Sequence, residues 1–200
     1  MILIMMITAF LCVLSTINAN RKGAPLEACQ KMKPQHGTGA QSSVAPYNIS
    51  VEPMHYSSGT TVTVNLTSSS TQFKGYLLQM RRIDNNKIIA GFSIDNGGQL
   101  LACDDQNNTA VTHTNNSEKT DVSFTWTAPA QSEGSLQVIA TVVQDKETFW
   151  TMLKSDPITP SQTTTPDGGQ GTTTSSNSAA FTVSSFLGIL GAVVITVLML

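Results

Sequence analysis

From about residue 20 to residue 160 the chain alternates apolar and polar side chains. Thr61-Val62-Thr63-Val64-Asn65-Leu66 and Asp121-Val122-Ser123-Phe124-Thr125-Trp126 alternate residue by residue, and Leu136, Val138, Ala140 and Val142 form one face of a third run. A period of two sets one face of a strand against a core and the other towards water. Further strands are predicted over residues 47–51, 74–82, 88–94, 99–103 and 148–153. Turn signals separate them: Ser58-Gly59, Asp84-Asn85-Asn86, Asn96-Gly97-Gly98, Ala128-Pro129 and Glu133-Gly134. No stretch carries the 3.6-residue period of a major helix. About eight short strands with frequent turns predict an all-β fold, an antiparallel β-sandwich. A domain of this size buries roughly two-thirds of its unfolded surface and can stand alone.

The two ends are of another kind. Only 12% of the 200 residues are charged, against about 25% in an ordinary soluble domain, and every charged side chain lies between Arg21 and Asp167. Residues 1–19 run apolar to Leu14 and then turn small and polar through Ser15, Thr16, Asn18 and Ala19, which reads as a secretory signal peptide cut before Asn20. An uncut signal anchor is the alternative, although the apolar run is shorter than the ~20 residues a membrane span needs. Residues 161–178, rich in Thr, Ser, Gly and Gln, read as a stalk that buries too little apolar surface to order itself. Residues 179–200 form an apolar tail with no Lys or Arg after it. A retained membrane helix normally ends in cytoplasmic Lys or Arg, whereas small residues, a polar spacer and a terminal apolar tail are the signal for a glycolipid (GPI) anchor. Asn177-Ser178-Ala179 supplies the small triplet, with Asn177 as the expected attachment residue, and Asp167-Gly168-Gly169 is a second candidate. A single retained transmembrane helix stays open as the other reading. Either way residues 20–160 are expected on the extracellular face of the plasma membrane, or secreted if the tail is removed without anchoring.

The cysteines suit that compartment. Cys12 leaves with the signal, and the remaining pair, Cys29 and Cys103, is expected to bridge in an oxidising space. In the chain-entropy model a loop of this length gains roughly 4 kcal/mol. Two free thiols are the alternative, and no C-x-x-C motif supports it. Four sequons, at Asn48, Asn65, Asn107 and Asn115, predict N-glycosylation. Alternation turns Asn48 and Asn65 away from the core, and the other two fall in the polar stretch after Cys103.

The chemistry on offer is sparse. There are 11 Lys and Arg against 13 Asp and Glu, too neutral a balance for a general nucleic-acid binder. No nucleophile elbow, H-E-x-x-H or phosphate-cradling glycine loop occurs, so no catalytic residue and no cofactor is assigned. Of His36, His55 and His113, the last lies near Asp104-Asp105 along the chain, but residues 104–108 read as a solvated loop and His113 as a structural residue beside the bridge, so no metal ligand is assigned. Trp126 falls on the face of Val122 and Phe124 and reads as core. Trp150 follows Phe149, and in a regular strand one of the two faces outward, which makes Trp150 a candidate contact. Lys74, Arg81 and Arg82, with Lys87, gather positive charge around one strand pair and form a candidate face for a sulfated glycan, acidic lipid or bacterial surface polymer; an ordinary solvated face is the alternative.

Taken in order, Gly23-Ala24-Pro25-Leu26-Glu27-Ala28-Cys29 with Met32, Pro34 and His36, then Phe73-Lys74-Gly75-Tyr76-Leu77-Leu78-Gln79-Met80-Arg81, then Cys103 with Ala110-Val111-Thr112-His113, then Phe124-Thr125-Trp126-Thr127-Ala128-Pro129 and Ala140-Thr141-Val142-Val143, resemble the reeler (reelin-type) domain over about residues 23–157. The resemblance implies an Ig-like β-sandwich and a Cys29–Cys103 bridge. Domains of this family open large matrix and guidance glycoproteins, stand alone as insect defence proteins, and precede haem-b cytochromes in ferric-chelate-reductase-like membrane proteins. The C-terminal tail here holds no His for a haem iron, so reductase chemistry is not expected. The resemblance implies a non-enzymatic extracellular binding module in innate defence, with a microbial surface component, a glycan or a host surface protein as partner. An adhesive or guidance-type module, or an accessory to a metal or ferric-reductase system, are the competing readings.

Overall fold

A computed structural model describes residues 20–161. The signal, most of the stalk, the tail and the expected attachment residue Asn177 lie outside the described residues. After a four-residue helix, α1 (Ala28–Lys31), twelve strands follow: β1 (Tyr47–Glu52), β2 (His55–Tyr56), β3 (Thr61–Ser68), β4 (Gly75–Arg82), β5 (Ile88–Ile89), β6 (Phe92–Ser93), β7 (Gly98–Leu101), β8 (Ala110–His113), β9 (Asp121–Thr127), β10 (Leu136–Val143), β11 (Phe149–Lys154) and β12 (Thr159–Pro160). One antiparallel sheet runs β1-β3-β9-β6 and a larger one β11-β10-β4-β8-β7, with β5 also paired to β4; β12 and β2 form a short parallel pair.

The alternating runs behave as a two-sheet sandwich requires. In β3 and β9 Val62, Val64, Leu66, Phe124 and Trp126 are buried and meet Tyr76, Leu78, Met80, Val138, Ala140 and Val142 from the facing sheet in one core. Edge-on aromatic contacts knit it: Tyr47 lies 5.7 Å from Phe73 and 5.4 Å from Trp150, ring centre to ring centre. Pairs of this kind add about 0.5–1.5 kcal/mol each beyond their buried area.

The predicted strand over residues 88–94 is two strands in two sheets. β5 pairs with β4 and β6 with β9, and the chain crosses between sheets at Ala90-Gly91. Gly91 has φ +136°, and a Cβ there would stand 2.4 Å from the Thr127 carbonyl oxygen, so only glycine fits. The Trp126 indole N–H donates to the Ala90 carbonyl at 3.1 Å and fixes the crossing. β8 was not predicted as a strand: Ala110, Val111, Thr112 and His113 are all buried, and a four-residue run buried on both faces shows no alternation.

β4 and β10 are covered on both faces. The inward side chains of β4 join the sandwich core, while its outward set, Gly75, Leu77, Gln79 and Arg81, is buried beneath residues 20–46. A second cluster forms there from Ala28, Cys29, Met32, Leu77, Ile88, Cys103, Ala110 and Ile139. The sandwich is therefore three layers deep at this point: small sheet, large sheet, N-terminal segment. Both clusters and all twelve described strands lie within residues 20–161, so these residues hold a core of their own.

Candidate functional site

The N-terminal segment is held to the outer face of the larger sheet at several points along its length. Cys29 and Cys103 form a disulfide with Cα atoms 5.8 Å apart. The Arg81 guanidinium donates to the main-chain oxygens of Cys29 at 2.8 Å and Gln30 at 3.3 Å, and to Gln79 Oε1 at 2.6 and 2.9 Å. Gln79 in turn donates to Cys103 Sγ. Ala24 N–H donates to Thr112 Oγ1 at 2.9 Å, and Thr112 Oγ1 donates to the Tyr76 carbonyl at 2.6 Å. Thr141 Oγ1 donates to the Met32 carbonyl. Further on, Gln41 N–H donates to the Phe149 carbonyl at 2.8 Å and the Trp150 indole N–H to the Ser43 carbonyl at 3.0 Å.

Between these attachments the segment stands off the sheet. A cavity of about 500 Å³ opens there, walled by Ala24, Pro25, Ala28 and Met32 from the segment and Leu77 and Val143 from the sheet. A smaller cavity of about 240 Å³ adjoins it, lined by Arg21, Lys74, Lys146 and Asp145; the two share Asn20, His36, His113 and Val143. His113 is 8% exposed, and its ring lies against Gly75, where a Cβ would come within 3.0 Å of the imidazole. His113 Nδ1 accepts the Tyr76 amide at 3.2 Å. The same nitrogen also lies 3.3 Å from the Tyr76 carbonyl oxygen and 3.2 Å from Thr112 Oγ1. Burial pulls the His113 pKa below its usual value, against main-chain contacts with Tyr76 and Asn20 that raise it, and Lys119 lowers it further. His36 is likewise lowered by burial first, its ring edge-on to Phe149 at 5.6 Å. Its Nδ1 is buried with no hydrogen-bond partner among the described residues.

The candidate cationic face does not assemble. Arg81 is 1% exposed: its outward-pointing position on β4 is covered by the N-terminal segment, and its fork is used up on Gln79, Cys29 and Gln30. Lys74 and Arg82 stand at opposite ends of β4, roughly 26 Å apart at ~3.3 Å per residue. Lys74 lies 3.6 Å from Glu118, and Arg82 pairs with Asp84 at 2.6 Å and Glu133 at 3.5 Å. Trp150 is no surface contact either, at 7% exposed. It packs inward on Tyr47, while Phe149 points outward under His36, so alternation at these two positions buries both rings, ahead of the bulge in β11. Among the described residues no three His, Cys, Asp or Glu side chains converge to hold a metal ion; His55 sits apart on β2, its Nδ1 2.8 Å from Thr159 Oγ1.

The Reeler domain family model matches residues 27–166, from just before the bridge's first cysteine past the last strand. The chain belongs to the Reeler domain family. Among its relatives, "Putative defense protein 3" of Antheraea mylitta is 36% identical over 156 residues, covering 76% of this chain and 94% of that protein. "Putative ferric-chelate reductase 1" of Danio rerio is 33% identical over 175 residues, covering 86% of this chain but 30% of that protein. The human F-spondin reeler domain has the same fold, with a TM-score of 0.51 at 22% identity over 62% of this chain and 95% of that one. None of the four sequon asparagines lines either cavity, and Asn115 is next to Asn116 on the wall of the smaller one. Asn48, Asn107 and Asn115 are exposed and Asn65 is half-buried on the outer side of β3.

Sequence reasoning noted His36 and His113 but not the cavity they share. The signal was the apolar run Tyr76-Leu77-Leu78 in a strand with little alternation, which marks burial on both faces and so a cover over the outer one.

Proposed function

We propose that this reeler domain is a non-enzymatic extracellular binding module, displayed on the cell surface in innate defence, whose ligand enters the cavity between the N-terminal segment and the larger sheet. The observation that carries the reading is that cavity. It is concave, mostly apolar and within the ~300–1,000 Å³ that holds a small ligand, with a few polar groups converging at one end. A disulfide and an arginine fork keep its roof in place, so the site is pre-formed and little ordering cost opposes binding. The defence role is supported by relatives named as defense proteins, which the match covers over almost their whole length, and a fold alone does not fix a function. Display follows from the expected signal, stalk and glycolipid tail.

The test is a screen of glycosylated residues 20–161, from a secretory host, against microbial surface components, glycans and host surface proteins. A saturable microbial hit, lost when Val143→Trp fills the cavity, and raised expression after microbial challenge are expected. Binding of no microbial component together with flat expression would end the defence reading, and hits indifferent to Val143→Trp would end the assignment of the site.

A further inference from the structure

The two compartments differ in character, and the difference specifies a ligand. The larger is walled by Ala24, Pro25, Ala28, Met32, Leu77 and Val143, with the exposed Glu27 and Lys33 also on its lining. The smaller presents Arg21, Lys74 and Lys146 with one acid on its own lining, Asp145, while Glu118 stands outside it, 3.6 Å from the Lys74 ammonium. The Asp145 carboxylate is already engaged, accepting the amides of Glu147 at 2.9 Å and Thr148 at 2.8 Å to close its own turn. His36 and His113 stand where the compartments meet. The His113 ring is more than nine-tenths buried, and His36 has a buried Nδ1 without a partner among the described residues. Buried polar atoms are nearly always hydrogen-bonded, so an unsatisfied one lining a cavity points to a missing polar partner. Three cations beside it make an acid group the complementary one.

We propose that the paired cavities bind a small amphipathic carboxylate of the fatty-acid type, its apolar chain in the larger compartment and its acid group in the smaller, between the two imidazoles and the cations of Arg21, Lys74 and Lys146. This rests on the reading of the cavity as the binding site and adds the chemistry of what enters. A neutral chain of equal length loses the acid group's partners, and an acid without a chain loses the apolar burial.

The experiment is calorimetric titration of residues 20–161 with decanoate, 1-decanol and acetate, on the wild type and on Lys74→Glu and Val143→Trp. Decanoate is expected to bind at one saturable site, 1-decanol at least tenfold more weakly and acetate not at all. Lys74→Glu, on a side chain that is 43% exposed and whose ion pair with Glu118 is itself exposed, is expected to weaken decanoate at least tenfold with little change in its unfolding midpoint, and Val143→Trp to abolish it. Equal affinity for decanoate and 1-decanol, or decanoate binding indifferent to Lys74→Glu, overturns the proposal. So does absence of decanoate binding; if the screen's hits are still lost in Val143→Trp, the cavity stands as the site and only the ligand class falls. Hits that survive Val143→Trp bring down the reading of the site as well.

Discussion

At the scale of single residues, Arg81 and His113 decide most. Arg81 is a buried cation with no carboxylate on it: its partners are two main-chain carbonyls and an amide oxygen, and burial lowers its pKa, with Asp104 nearby opposing. Truncation to Ala leaves those acceptors dry and opens a void, which should cost about 3 kcal/mol in chemical denaturation. Lysine lacks the planar fork and should rescue little of it. Sequence analysis groups Arg81 with Lys74 and Arg82 in a candidate cationic face; what it could not supply was the segment covering the outer face of β4, because the cover comes from about fifty residues upstream in irregular chain. His113 and His36 carry a pH dependence. Their folded pKa values lie below the ordinary 6.5, so the unfolded chain takes up protons first as pH falls. Stability is therefore full above pH 6.5 and declines below it towards the folded values. Denaturant midpoints measured across that window should fall with pH, and less so in His113→Gln.

At the scale of elements, the alternation of β1, β3 and β9 was legible because one face of each meets a core and the other faces outward. It failed where both faces are covered. β8 shows no period, and the run over residues 88–94 changes sheets at Gly91 without any interruption in its apolar character. Gly91→Ala should destabilise by about 2 kcal/mol or more, since φ +136° and the Thr127 carbonyl both exclude a Cβ. The Cys29–Cys103 bridge acts on a whole element. Cys29→Ser should lower stability by up to about 4 kcal/mol, and limited proteolysis should cut residues 20–46 before the sandwich opens, because the segment's other ties are scattered hydrogen bonds and a small apolar cluster. A variant whose segment resists cleavage as well as the wild type would show that the hydrogen bonds alone hold it.

At the scale of the whole molecule, the domain is a sandwich with a third layer, proposed to be exported and tethered and to work by enclosing a ligand beneath that layer. The tether makes its own prediction: phosphatidylinositol-specific phospholipase C should release the protein from expressing cells, and retention after treatment would assign a membrane-spanning tail instead. The fold class was legible from period-two runs and turns alone. The site was not, since a cavity between an irregular segment and a sheet has no sequence period; only its two histidines and its cysteine pin were visible. The most direct measurement is hydrogen–deuterium exchange of residues 20–161 with and without a ligand recovered from the screen. Slower exchange in residues 20–36 and at the His113 end of β8 is the predicted result. Protection confined to the four-stranded sheet, with the N-terminal segment unchanged, would contradict it.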